Sequence, residues 1–177
     1  MKKIATIFLF LILVSSCGSG KSFQSFFNNH KNDLGVTAFQ VPNFMRALLS
    51  NISPEINSLF SNVRDFKFIT FNNISKEKQT ELINEMNLVT ANNFTDVLRK
   101  NTLEKTKILS VKEDGDVVTQ AIIFNSTLVK TSVFYLKGRF DPNRIKELSD
   151  TNQFENLSSK LLLNYQTTPI NQGINPN

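Results

Sequence analysis

Hydrophobic residues return along this chain first at the helical period and then at the strand period. Phe23, Phe26, Phe27 and His30 fall at i, i+3, i+4 and i+7, which predicts one face of an amphipathic helix running to about residue 33, with Gly35 as its stop. Its other face carries Ser25, Asn28, Asn29 and Lys31, too few lysines for a membrane-surface helix, so packing onto the domain is expected. Residues 36–41 read as a strand ended by Pro42, which lacks the N–H that a ladder uses. Asn43 caps a helix with Phe44, Ala47 and Leu48 inward, and Ser53-Pro54-Glu55 opens another with Ile56, Leu59, Phe60 and Val63.

Residues 66–71 are apolar on both faces and read as a central strand. Ser75 then caps a long helix whose buried side is marked by Leu82, Ile83 and Met86. Residues 90–100 fit another helix through Phe94, Val97 and Leu98, or in part a strand. Residues 106–111 and 117–124 flank Glu113-Asp114-Gly115-Asp116, where Gly115 supplies the positive φ of a tight hairpin. Asn125-Ser126-Thr127 reads as the next turn and residues 128–136 as a third antiparallel strand. Asp141-Pro142 opens a helix with Ile145 and Leu148, pairing a carboxylate cap with a proline at the first helical position. A last helical stripe follows in Phe154, Leu157, Leu161, Leu162 and Tyr165, where core packing is favoured over lending the stripe to a partner. The pattern as a whole predicts one α+β domain, with an antiparallel or mixed sheet of about five strands and helices mainly on one face.

Ahead of this pattern stands a different one. Lys2 and Lys3 precede an uncharged run over residues 4–14, followed by Val14-Ser15-Ser16-Cys17. The run is short of the ~20 apolar residues that a membrane span needs and has the form of an export signal. A branched apolar residue, two small residues and Cys resemble the bacterial lipobox, which implies a mature protein starting at Cys17 and diacylated on its sulfur. Two or more acyl chains hold a protein firmly, at ~0.8 kcal/mol per buried methylene. The expected organisation is therefore a lipoprotein signal peptide at 1–16, a lipidated Cys17 and flexible tether at 17–22, and an α+β domain at 23–150. A C-terminal amphipathic helix at 151–165 and a disordered tail at 166–177, rich in Thr, Pro, Asn, Gln and Gly, complete it.

Composition narrows the chemistry. Cys17 is the only cysteine, so no intramolecular disulfide can form and the core must hold the fold, with 16 Phe to fill it. The formal charge of +5 includes Lys2 and Lys3, too little for a nucleic-acid partner once they are removed. Gly18-Ser19-Gly20-Lys21-Ser22 looks like the end of a phosphate-binding loop, but Ser15 stands where the first glycine belongs and no strand precedes it. His30 is the only histidine, so a charge relay or zinc site would have to be built on it alone. The acids around Gly115 lack the spacing and closing Glu of a calcium loop and read as a hairpin turn. No catalytic motif, cofactor site or metal site is expected from these patterns.

Four segments carry a resemblance: VTAFQVP at 36–42, RDFKFITF at 64–71, KILSVKEDGDVVTQAIIF at 107–124 and FYLKGRFDPNRIKELSD at 134–150. The last, a closing strand with Gly138 and an acid-opened helix, is the most specific. Through them the chain resembles a family of Bacteroidota lipoproteins, domain of unknown function 4252, over about residues 23–150. The resemblance implies an α+β domain on a lipid anchor and brings no activity or catalytic residues. Surface-exposed lipoproteins of that phylum carry acidic residues just after the lipidated Cys, and residues 18–32 have none, so an outer-membrane protein facing the periplasm is expected. The functional expectation is a non-enzymatic interaction or structural module with an envelope protein partner. The alternative is a small-ligand binder or enzyme whose acidic site is assembled only in the fold, from residues such as Asp114, Asp116 or Asp141.

Overall fold

A computed structural model of the chain describes residues 21–41, 62–143, 145–146 and 159. Helix α1 (Phe23–His30) leads into β1 (Val36–Gln40), and β2 (Val63–Asn72) into helix α2 (Lys76–Thr90). Four strands follow: β3 (Thr95–Asn101), β4 (Lys105–Asp114), β5 (Val117–Thr127) and β6 (Lys130–Phe140). They form one six-stranded sheet in the order β1-β2-β6-β5-β4-β3, antiparallel at every pairing. The fold is therefore α+β. The expected leader at 1–16 and Cys17, the helices opened by Asn43 and Ser53, the helix at 151–165 and the tail at 166–177 lie outside the described residues, Ser159 excepted; Val63, expected on the inner face of the second of those helices, instead opens β2.

Hairpins explain half of this order. β3 to β6 run as a meander, and Gly115 takes φ +60° at the β4–β5 turn, as the sequence pattern required. β2 then lies against β6, and α2 crosses the sheet from β2 to the far edge, where β3 begins. Both α1 and α2 start on a serine whose hydroxyl accepts from the backbone N–H three residues on, Ser22 from Ser25 and Ser75 from Lys78.

Each face of the sheet has its own core. On one, α1 and α2 cover the inward residues of the strands: Phe23, Phe26, Phe27, Leu82, Met86 and Val89 meet Ile69, Phe71, Ile108, Ile122, Phe124, Val133 and Tyr135. The other face holds Phe66, Phe68, Leu109, Val111, Ile123, Phe134 and Leu136, joined from outside the strands by Val41 and Ile145. Two buried faces account for the near-continuous burial along β2. At the end of the sheet nearest the β5–β6 hairpin, polar pairs close both layers. Thr70 bonds Ser132 at 3.0 Å on one face, and Ser126 bonds Thr131 at 2.7 Å on the other.

Several expectations are corrected in detail. The sheet has six strands, because residues 95–101 are extended; only Leu98 is half-buried there, so the spacing of Phe94, Val97 and Leu98 reflects an edge strand with one wetted face. The β5–β6 turn is at Leu128 and Val129, while Asn125, Ser126 and Thr127 belong to β5. The Thr127 hydroxyl closes the turn: its Oγ1 accepts from the Lys130 N–H and donates to the Lys130 carbonyl. Helix α1 ends at His30, and a turn over residues 31–35 brings Gly35, at φ +76°, to the start of β1. Asp141 acts as the expected cap, its carboxylate accepting from the Asn143 N–H at 2.8 Å.

Candidate functional site

Polar residues are drawn into the helix-covered face at one place. Alternation along β2 puts Asp65 and Lys67 on the face of Ile69 and Phe71, and along β6 it puts Lys137 on the face of Tyr135. Register does the rest. Asp65 pairs with Lys137, Lys137 with Gln120 and Gln120 with Lys112, so four polar side chains stand in one row across β2, β6, β5 and β4. The ladder is irregular beside that row, between Val63 and Asp65 and between Val118 and Gln120, and such bulges re-aim side chains. The start of α1, with Lys21, Ser22, Phe23 and Gln24, forms one wall of the resulting cleft; Val89 and Asn92 at the end of α2, with Phe94, form the other. The cleft measures about 240 Å³.

Four lysines and one carboxylate line it. Lys67 is 3% exposed; its ammonium pairs with Asp65 and lies 5.4 Å from the centre of the Tyr135 ring. A lysine buried to this degree needs such partners. Lys21 pairs with Glu85 at 2.9 Å. Lys112 sits over the Phe94 ring at 4.8 Å, and neither it nor Lys137 has a carboxylate partner among the described residues. Tyr135 stacks on Phe23, centroids 4.7 Å apart and planes 8° off parallel, and its hydroxyl donates to Gln120 Oε1 at 3.0 Å. Burial, with the negative Asp65 nearby, pushes the Tyr135 phenol up to about 12, so it stays a neutral donor at physiological pH.

A second polar cluster borders the cleft through Lys21. His30, 6% exposed, has Asp33 Oδ2 2.8 Å from Nδ1 and Glu85 Oε2 2.7 Å from Nε2. Carboxylates only accept, so both contacts are hydrogen bonds when the ring carries both of its protons. The rings of Phe26 and Phe71 enclose the imidazole at 4.9 and 5.5 Å. This histidine ties α1 to α2 through carboxylates on both ring nitrogens. A third cluster joins α2 to the β3 edge: Asp96 accepts from Arg99 at 2.6 Å and Ser110 at 2.5 Å, and Arg99 reaches Asn87 at 2.7 Å.

These clusters set an acid limit on stability. Burial raises the Glu85 carboxyl, but the His30 and Lys21 hydrogen bonds and charges together outweigh it and hold the group below its ordinary value. Burial likewise raises Asp96, and Arg99 with Ser110 brings it net downward. A lowered carboxyl contributes stability in full above its unfolded value and loses it as pH falls through the folded one. Glu85→Gln is therefore expected to lower the thermal midpoint at neutral pH, with the gap from wild type closing as pH falls below the ordinary carboxylate range, measured by thermal unfolding over a pH series.

The expected acidic site does not form in this cleft. Asp114 and Asp116 are exposed at the β4–β5 hairpin and Asp141 is exposed after β6, and none of them lines it. Among the described residues no three His, Cys, Asp or Glu side chains gather as a metal site would require. No helix among them is long and apolar enough to cross a membrane. Cys17 lies outside the described residues, four positions before Lys21 at the mouth of the cleft. Asp65, Lys67, Lys112, Gln120, Tyr135 and Lys137 were not singled out from sequence. The available signal was Lys67, a charge set among Phe66, Phe68, Ile69 and Phe71 in a strand buried on both faces.

Fold and site define an open-sheet α+β domain with a basic, aromatic-walled cleft between α1 and α2. The chain belongs to the family described as domain of unknown function 4252, whose profile matches residues 28–148. No curated protein and no solved structure matches the chain.

Proposed function

We propose that this protein is a non-enzymatic binding module of the cell envelope, tethered through lipid on Cys17 to the outer membrane and facing the periplasm. The observation that carries the non-enzymatic reading is the state of the charges in the cleft. Lys67 is held by Asp65, Lys21 by Glu85, and Tyr135 is kept neutral. A general acid–base site needs a group that changes protonation near working pH within reach of a substrate; these three groups are committed to one another or to neighbours, and Lys112 and Lys137 are left as charges suited to binding. Such an arrangement suits recognition. The tether reading is supported by the charged start, the apolar run and the Val14-Ser15-Ser16-Cys17 sequence.

Growth of expressing cells on radiolabelled palmitate tests the anchor. Label is expected on the wild-type protein, absent from Cys17→Ala, with the variant lost from the outer-membrane fraction. Label retained on Cys17→Ala overturns the proposed site of attachment. Protease added to intact cells should leave the domain uncut, and its removal overturns the periplasmic orientation. Cross-linking in cells, with Cys17→Ala as mislocalised control, then identifies the envelope partner.

A further inference from the structure

We propose that the cleft is a phosphate-binding site, taking a phosphomonoester between Lys112 and Lys137 with Gln120 beneath it. The two lysines flank Gln120 in the cross-strand row, two strand spacings or roughly 10 Å apart at the backbone, within reach of one anion from their flexible stems. Both lack a carboxylate partner among the described residues, so the site holds two positive charges that nothing there neutralises. A phosphomonoester, at about −1.5 to −2 near neutral pH, matches that charge where a single carboxylate does not.

Gln120 is oriented for the same task. Its Oε1 accepts the Tyr135 hydroxyl, which leaves the amide NH₂ as the face open to a ligand. Two ammonium groups on flexible stems and an amide donor are then within reach of one ligand in the cleft they line. The volume of about 240 Å³ suits a small group. The Phe23–Tyr135 stack and Phe94 supply flat apolar walls, so a planar or aliphatic portion beside the phosphate is accommodated. A lipid headgroup and a soluble phosphate ester share this chemistry. The site is independent of the lipid on Cys17.

Calorimetric titration of the purified full chain in a neutral detergent tests the proposal with two probes, phenyl phosphate and dihexanoyl phosphatidic acid. Saturable binding weakened by salt is expected, with Lys112→Gln and Lys137→Gln each weakening it about tenfold. Tyr135→Phe, which keeps the ring and every charge, should weaken it several-fold through the released Gln120 amide. Lys31→Gln, at the far end of α1, should leave it unchanged. Tighter binding of the phosphatidic acid by tenfold or more identifies a headgroup as the source, and equal or weaker binding a soluble ester. If the lysine variants do not fold, the wild-type thermal midpoint decides: it should rise with phenyl phosphate and not with sodium chloride at equal ionic strength. Absence of saturable binding of both probes, an equal response to chloride, or unchanged affinity in folded lysine variants overturns the proposal.

Discussion

Gly138→Ala is expected to cost roughly 3 kcal/mol or more, and Gly138→Val to prevent folding. Gly138 pairs with Val63 where β6 leaves the regular ladder. A β-carbon there would come 2.1 Å from the Asn62 carbonyl oxygen, 3.0 Å from its carbon and 2.9 Å from Phe140 Cζ. The first two are backbone atoms, and the Asn62 carbonyl also accepts from the Arg139 N–H at 3.3 Å, so relief means breaking that bond. A fall in the thermal midpoint on the order of 10 °C follows for a domain of this size. Gly115→Ala is the contrast. It meets nothing within 4 Å and suffers only its φ of +60°, a cost of about 1 kcal/mol. Urea unfolding of the two variants separates a steric demand from a conformational one, and equal losses would show that close approach to Asn62 is not the reason for Gly138.

Phe68→Ala is expected to destabilise by about 3–5 kcal/mol. Its ring is fully buried in mid-sheet, with ring centroids of Phe134 at 4.6 Å and Phe39 at 5.0 Å. Phe39 comes from β1 and Phe134 from β6, so the ring is packed from both neighbouring strands and the cavity cannot close by moving one. Val97→Ala on the outer strand, where the side chain is 47% exposed, should stay within about 0.5 kcal/mol. Chemical denaturation of both tests this, and a Phe68→Ala loss near that of Val97→Ala would contradict the packing of β2 between β1 and β6.

Elements whose pattern answers to one period were legible before the structure. The Phe23, Phe26, Phe27 and His30 stripe is buried on the sheet as the spacing implied, and the Gly115 hairpin is where the acids and glycine placed it. Residues 95–101 were ambiguous because a wetted edge strand has too little apolar alternation to stand against a chance helical spacing. Asn125-Ser126-Thr127 misled because residues that favour turns can also bond across a ladder, as Ser126 does with Thr131. The cleft was hidden for a more general reason. The hairpins bring Lys112, Gln120 and Lys137 into one row only through a register shifted by irregularities that no local pattern fixes, and Asp65 joins them through the long-range pairing of β2 with β6.

The pairing of β2 with β6 also bears on how the chain comes together. Val63 meets Gly138 and Asn72 meets Lys130, whereas β3 to β6 each pair with the strand that follows. Closing so long a loop costs entropy before any contact repays it, so the hairpins of the meander are the early nucleus and β2 docks last. During synthesis from the N-terminus, β2 has β1 to pair with on one side, but the edge that takes β6 must stay open until Phe140 has emerged. That interval is when the chain is most prone to stick to its own copies, and a holding chaperone would have its target there.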